Sequence, residues 1–316
     1  MLLLLFLINF EAVFLCCMSS ADVAVNVFRE LEPEDLRVLQ LIETGMTSRE
    51  YVPKEQITKY SKLPKDRIDF ELSRIDKLGL IYRMRAGYEG YTLNYSGYDC
   101  LAINALVKAD VLAAFGKPLG VGKEADVFDA LDSKGTRVAV KFHRLGRISF
   151  RQTRRKRGYM LDRAGWLFQS RLAAEKEFEA LRLVYSCGVA VPEPIFQNRH
   201  TIVMGVIEGG MLSRWRALKK PNAVFEEILV NVRKTFVDAG MVHGDLSDYN
   251  VIVKPDMHIL IIDWPQSVLR SHPNAEDLLR RDVKNVLDYF VRKFKVKVSL
   301  KDAYDFVSGK IEKLSV

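Results

Sequence analysis

The residues best suited to chemistry lie in His243-Gly-Asp245-Leu-Ser-Asp-Tyr-Asn250. A carboxylate and a carboxamide stand five residues apart, after Met241-Val242 and before the β-branched run Val251-Ile-Val253. At such a site Asp245 can accept a hydroxyl proton or orient a nucleophile. Asn250 offers a neutral oxygen to a hard cation such as Mg²⁺. Further on, Ile261-Ile-Asp263-Trp-Pro-Gln266 puts a second carboxylate at the end of an apolar strand. A hard cation that keeps its water and takes one or two carboxylates plus phosphate oxygens would find its ligands in Asn250 and Asp263.

Two upstream segments extend this chemistry. Gly120-Val121-Gly122-Lys123-Glu124-Ala125-Asp126-Val127 is a two-glycine turn between expected strands. Glycines let backbone N–H groups approach a phosphate without Cβ interference. Alone, such a turn is more often a plain hairpin, and no Ser or Thr follows Gly122-Lys123 to make a Walker motif. Val138-Ala139-Val140-Lys141 then inserts one ammonium into an apolar strand. That charge is satisfied by a nucleotide phosphate or by a carboxylate, or else it snorkels to a strand edge. Glu177, in the helix that follows, is the candidate carboxylate, with Glu175 as competitor on a different face. Glycine turn, strand lysine, Asp-x₄-Asn loop and second Asp, in this order, match the spacing of protein-kinase catalytic elements.

The elements that must hold these groups are legible from periodicity. Paired strands are expected at Val127–Leu131 and Arg137–His143, after a junction at Lys108–Lys117. A helix should run from Gly165 to Val184, two strands flank Asn198–His200, and a helix spans Ala223–Ala239 with Ile228, Val232 and Phe236 on one face. A hairpin at Val251–Asp263 and two terminal helices complete this part. Between the strand at Arg137–His143 and the helix at Gly165–Val184, Arg144 to Gly158 carries seven basic residues and no acid, which predicts a mobile, polyanion-binding segment.

Upstream, Val23 to Val107 reads as three helices, at Pro33–Gly45, Pro53–Tyr60 and Pro64–Gly79, then strands at Ile81–Arg85 and Tyr91–Leu93 and a helix over Tyr95–Val107. That is the order of a winged helix. Lys62, Lys65, Arg67, Arg74 and Lys77 fall on or near the third helix, and Arg83 and Arg85 on the wing. A groove-reading third helix predicts a nucleic-acid contact, against the plainer reading of a solvated face.

Composition narrows the class. With 316 residues, 48% hydrophobic and 28% charged, the chain is a folded protein of about two domains, neither disordered nor low-complexity. A net charge of +8 permits a polyanionic partner. Cys16, Cys17, Cys100 and Cys187 show neither metal nor disulfide spacing, which points to a reducing, cytosolic compartment. Residues 1–17 are apolar except Asn9 and Glu11, with no Lys or Arg before Arg29. The expectation is a mis-set start with Met18 as the true first residue, and a signal peptide or anchor is the competing reading.

His243-Gly-Asp-Leu-Ser-Asp-Tyr-Asn250, Ile262-Asp-Trp-Pro-Gln266 and Gly120-Val-Gly-Lys-Glu124 together resemble the RIO atypical kinases. The winged helix and the Trp-Pro-Gln after Asp263 resemble their type-2 branch, in a short form like the archaeal members. The resemblance implies an α+β fold, with a winged helix at 18–107 and a truncated bilobal kinase domain at 108–316. The lobes would meet near residue 205. It implies ATP and Mg²⁺ (or Mn²⁺) as cofactors. The catalytic residues would be Lys141, Asp245 and Asp263. The nucleotide would be bound by Gly120, Val121, Gly122, Lys123, Glu124, Val127, Ala139, Lys141, Glu177, Met204, Gly205, Ile207 and Asn250. The metal would be held by Asn250 and Asp263.

The resemblance further implies autophosphorylation with a phospho-aspartate at Asp263. It also implies a cytoplasmic role on the small ribosomal subunit precursor and its rRNA, with no stable membrane association. Ala125 stands where the branch often has Ser, and Gly205 where Glu is usual in the hinge. The 53 residues after Asp263 leave no room for the activation segment and large helical subdomain of an ordinary peptide-directed kinase. A non-catalytic nucleotide-binding scaffold and a winged-helix transcription factor are the alternatives. The complete set Lys141, Asp245, Asn250 and Asp263 argues against both.

Overall fold

The computed structural model describes residues 19–145 and 163–314. Residues 1–17 and most of the basic segment, 146–158, lie outside the described residues. The chain divides into two compact units. One holds Met1–Thr136, Val140–Leu172 and Asn198–Thr201; the other holds Arg137–Ala139, Ala173–Gln197 and Ile202–Val316.

The first unit opens with a helix that periodicity did not reveal, α1 (Ser20–Val27). Ser19 and Asp22 cap it reciprocally, each side chain accepting the other's backbone N–H. Next come α2 (Pro33–Gly45), β1 (Val52–Pro53), α3 (Lys54–Ser61), α4 (Lys65–Lys77), β2 (Ile81–Met84), β3 (Gly90–Leu93) and α5 (Tyr95–Lys108). Pro33 sits in the first turn of α2, where its missing N–H costs nothing. Of the helical series Leu36, Leu39 and Ile42 in α2, Leu39 and Ile42 are buried and Leu36 is half-buried; Ile68, Leu72 and Ile75 of α4 are all buried. The wing has a third strand, in the order β1-β3-β2. Two residues ending in a proline give β1 no periodicity to read. Gly45 does more than end a helix: a Cβ there would lie 2.6 Å from the Val52 side chain of β1.

Three of the bases expected to face a nucleic acid are paired with acids of the same module. Arg67 pairs with Glu71 at 2.7 Å and Glu32 at 3.2 Å, and Arg74 with Asp35 at 3.1 Å and Glu32 at 3.0 Å. Arg83 pairs with Glu89. Helix α4 carries Asp66, Asp69, Glu71 and Asp76 against Lys65, Arg67, Arg74 and Lys77, so its net charge is zero. Burial and the neighbouring Asp35 push the Glu71 carboxyl up to about 7.

Strands β4 (Ala114–Val121), β5 (Ala125–Leu131) and β6 (Arg137–His143) follow, then α6 (Arg163–Ser186), β7 (Pro194–Asn198) and β8 (Thr201–Gly205). The sheet order is β4-β5-β6-β8-β7. β4 begins inside the stretch expected to be a junction, and its pairing with β5 slips around Pro118.

The second unit continues with β9 (Gly210–Met211), α7 (Pro221–Val237), β10 (Met241–Val242), β11 (Val251–Val253), β12 (Ile259–Ile261), β13 (Val268–Leu269), α8 (Ala275–Phe294) and α9 (Leu300–Val307). β11 and β12 form the expected hairpin, extended by β9; β10 pairs with β13. One apolar core unites Phe225, Ile228, Val251, Ile261, Trp264, Val283 and Phe290. The result is an α+β chain with an N-terminal winged helix.

Candidate active site

In the second unit, the loop between β10 and β11 carries Asp245 and Asn250. His243 opens it, buried, with its ring 4.6 Å from Trp264. Its Nε2–H donates to the Ile262 carbonyl at 3.0 Å, and its Nδ1 accepts the Asp245 N–H at 3.3 Å. Both bonds suit a neutral imidazole. Burial holds the His243 pKa below its usual value, which keeps the ring in that form. Gly244 takes φ +81°, and a Cβ there would meet the Gln266 carbonyl oxygen at 2.6 Å. Only glycine fits.

The loop is held by a residue that the sequence analysis missed. Asp282 of α8 accepts the Gly244 N–H at 2.7 Å and the Leu246 N–H at 3.0 Å. Arg281 donates to the Gly244 carbonyl, and Asn285 donates to the Leu246 carbonyl at 3.1 Å. Desolvation raises the Asp282 carboxyl to about 6 despite those two N–H donors. The available signal was positional: an acid stands three residues after Leu279 and four before Val286, on the apolar face of α8.

Asn250 closes the loop. Its Nδ2 donates to the Asp245 carbonyl at 2.8 Å, leaving the amide oxygen as its acceptor end. Its backbone carbonyl accepts the Ile262 N–H at 2.9 Å, which brings it beside the chain entering Asp263. Asp263 leaves β12 at φ +71°, in the left-handed region that is costly for a non-glycine residue and concentrated at functional sites. Glu177 is buried, and its Oε1 accepts the Trp264 N–H at 3.4 Å; Glu175 is half-buried. Thus Asp245, Asn250, Asp263 and Glu177 belong to one unit. Ala139, Met204, Gly205 and Ile207 belong to it as well. The Gly205 N–H is already bonded to the Glu193 carbonyl at 2.9 Å, so an adenine contact there must use other hinge groups.

The first unit carries the other group: Gly120, Val121, Gly122, Lys123, Glu124, Val127 and Lys141. Gly120 and Val121 end β4 rather than lying in a loop, and the Gly122 N–H closes the turn on the Ala125 carbonyl at 2.8 Å. Residues 120–124 are exposed. A Cβ on Gly120 would meet nothing within 4 Å among the described residues, so their packing does not require glycine there. Lys141 is buried in β6. Arg144, expected at the head of a mobile basic segment, is 1% exposed and bonded to Asp99 and Asp126. A buried guanidinium between two carboxylates is structural, and this corrects that expectation for its first residue.

Fold and loop together define an atypical protein kinase. The RIO domain family model matches residues 126–303, and the model of the Rio2 N-terminal domain matches 28–109. The RIO-type serine/threonine-protein kinase Rio2 of Methanocaldococcus jannaschii is 42% identical, over 79% of this chain and 93% of its own. The serine/threonine-protein kinase rio2 of Schizosaccharomyces pombe is 36% identical, over 92% and 84%. The crystal structure of a Rio2 kinase–ADP/Mg²⁺–phosphoaspartate complex from Chaetomium thermophilum superposes with a TM-score of 0.80 at 34% identity, over 90% of this chain and 89% of that one. The chain belongs to the RIO family of serine/threonine-protein kinases, in its Rio2 branch. No helix among the described residues is long and apolar enough to cross a membrane.

Proposed function

We propose that the chain binds ATP with Mg²⁺ (or Mn²⁺), transfers the γ-phosphoryl group to its own Asp263, and turns over through hydrolysis of that acyl phosphate. The observation that carries the reading is the fixed loop, in which the Asn250 side chain is bonded to the Asp245 carbonyl and its backbone carbonyl accepts the N–H of Ile262, the residue before Asp263. The donor set fits the metal: one carboxylate and one amide oxygen are hard ligands that leave positions for phosphate oxygens and water. Among the described residues no cluster of three or more His, Cys, Asp or Glu offers a fuller cage, which suits a cation brought in with phosphate. When bound, the cation supplies charge neutralisation at the phosphates.

The chain's own groups do the rest. Asp245, held at its N–H by His243, orients the attacking nucleophile or takes its proton. The turn at 120–124 offers backbone N–H groups to the phosphates. Lys141 supplies a cation for them, and Glu177 steadies the backbone just after Asp263. Met204, Gly205, Ile207, Ala139 and Val127 line the adenine side in this reading. The Chaetomium complex, with ADP, Mg²⁺ and a phosphoaspartate, supports it by family membership.

The proposed setting is the cytoplasm, on the small ribosomal subunit precursor and its rRNA. The +8 net charge supports a polyanionic partner. Labelling with γ-³²P-ATP tests the chemistry: wild type should carry label labile to hydroxylamine, and Asp263→Asn should carry none. ATP binding with no label and no phosphate release would favour the scaffold instead. Co-sedimentation with small-subunit particles tests the setting.

A further inference from the structure

We infer that Arg144 is a positioning residue for the phosphate turn, and that Asp99 of the winged helix holds it in place. The inference rests on the nucleotide reading of that turn. All the groups belong to the first unit. Arg144 reaches the turn twice: its backbone N–H donates to the Glu124 carbonyl at 2.6 Å, and its Nε donates to Asp126 Oδ2 at 3.3 Å. Glu124 is the last exposed residue of the turn, and Asp126, fully buried, stands two residues further on. On the other side, Arg144 Nη2 donates to Asp99 Oδ2 at 2.8 Å. Asp99 is fully buried on α5, and its other oxygen accepts from His200 Nε2 at 2.6 Å.

The guanidinium also lies 5.1 Å from the Tyr95 ring centroid and 5.2 Å from that of Phe142. Its plane is therefore set by two carboxylates and two rings. A planar fork with fixed donors can bridge two acids at once, whereas an ammonium cannot do so in the same geometry. The bridge crosses between the two matched regions, since Asp99 falls within 28–109 and Asp126 and Arg144 within 126–303. The winged helix is thus a working part of the nucleotide-binding unit. The turn is exposed at 120–124, and this bridge ties its far side, at Glu124 and Asp126, to Asp99.

The test uses the full chain, with Asp99→Asn and Arg144→Lys, titrated with Mg²⁺-ATP and separately with adenosine. Adenosine has no phosphate and so does not report on the turn. Each variant should lose about tenfold in ATP affinity, the scale of one charge-assisted hydrogen bond, with adenosine affinity unchanged. Hydrogen exchange without nucleotide should speed up at amides 120–127 and stay constant in β11. If Asp99→Asn does not melt cooperatively, Arg144→Lys, which keeps the charge, carries both measurements. Unchanged ATP affinity and exchange would overturn the inference, as would equal losses for ATP and adenosine. Wild type failing to bind ATP would remove the nucleotide reading itself. Wild type binding ATP normally beside an unaffected pair of variants removes only the role given to Arg144.

Discussion

The catalytic loop at 243–250 and the glycine turn at 120–124 hold polar groups in opposite ways. The loop is threaded onto α8: Asp282 takes two of its N–H groups, while Arg281 and Asn285 donate to two of its carbonyls. His243 locks its first residues from the β12 side. The turn is exposed, closed by one internal bond from Gly122 to Ala125 and by the Arg144 N–H on Glu124. A group that orients a nucleophile loses rate with small displacements, so its backbone is tied down. A turn that admits and releases phosphates, the role proposed for 120–124, belongs to the low-stability end of a fold. The loop is therefore bonded along its length to a helix distant in sequence, while the turn is held by its strand pairing with β5 and by Arg144.

That contrast breaks first at the loop carboxylate. Asp245→Ala should lower turnover about 10²–10⁴-fold while ATP affinity stays within about twofold, since Asp245 is assigned no part in holding the nucleotide. Lys141→Ala should instead weaken ATP binding. Single-turnover rates beside equilibrium titrations distinguish these outcomes, and identical profiles for the two variants would contradict the assignment.

Asp282→Asn should uncouple the loop from α8. The asparagine keeps one acceptor and turns an NH₂ toward a backbone N–H. We expect about 2 kcal/mol of lost stability and a fall of about 10²-fold in turnover, with ATP affinity preserved. Chemical denaturation and steady-state kinetics on the same variant measure both.

On the side of the turn, pH is the lever. His200 is buried, and desolvation lowers its pKa from 6.5 to about 4 although Asp99 opposes the shift. The unfolded chain therefore takes up the proton first. Its contribution to stability is intact above pH 6.5 and is lost as pH falls toward 4, by about 3 kcal/mol. His200→Gln should flatten the acid limb of a melting-temperature profile over that window. An unchanged slope would mean that His200 is not neutral in the fold.

A pair of alanine substitutions gives the smallest and cleanest contrast. Gly244→Ala forces a Cβ at positive φ to within 2.6 Å of the Gln266 carbonyl oxygen, and should cost about 1–3 kcal/mol. Gly120→Ala meets nothing among the described residues and should change stability by less than about 0.5 kcal/mol, yet weaken ATP binding. Thermal melts with and without nucleotide test both. A destabilised Gly120→Ala would mean that the turn serves the fold rather than a ligand.

Periodicity found the long elements because each buries one face at a regular interval: α4 through Ile68, Leu72 and Ile75, and α7 through Ile228, Val232 and Phe236. It passed over α1, a short helix, and β1, two residues with a proline. The spacing of Asp245, Asn250 and Asp263 was equally legible, because loop and hairpin are contiguous and each residue's place follows from its neighbours along the chain. Asp282 was not, since its partners lie 38 and 36 residues away. Arg144 was misjudged for the same reason. Its neighbours in sequence are basic, and the acids that bury it are 45 and 18 residues upstream.

Arg67 and Arg74 of α4 were likewise misjudged, because Glu32 and Asp35, at the start of α2, come to pair with them in the fold. Residue types and local spacing were enough to reach the kinase class and to place the loop with Asp245, Asn250 and Asp263, since those depend on contiguous backbone geometry. Which charges are buried, which face a ligand and which hold the loop and turn in shape came only with the folded chain. Those properties depend on partners that are distant in sequence, and a charge becomes structural or functional according to what the fold sets beside it.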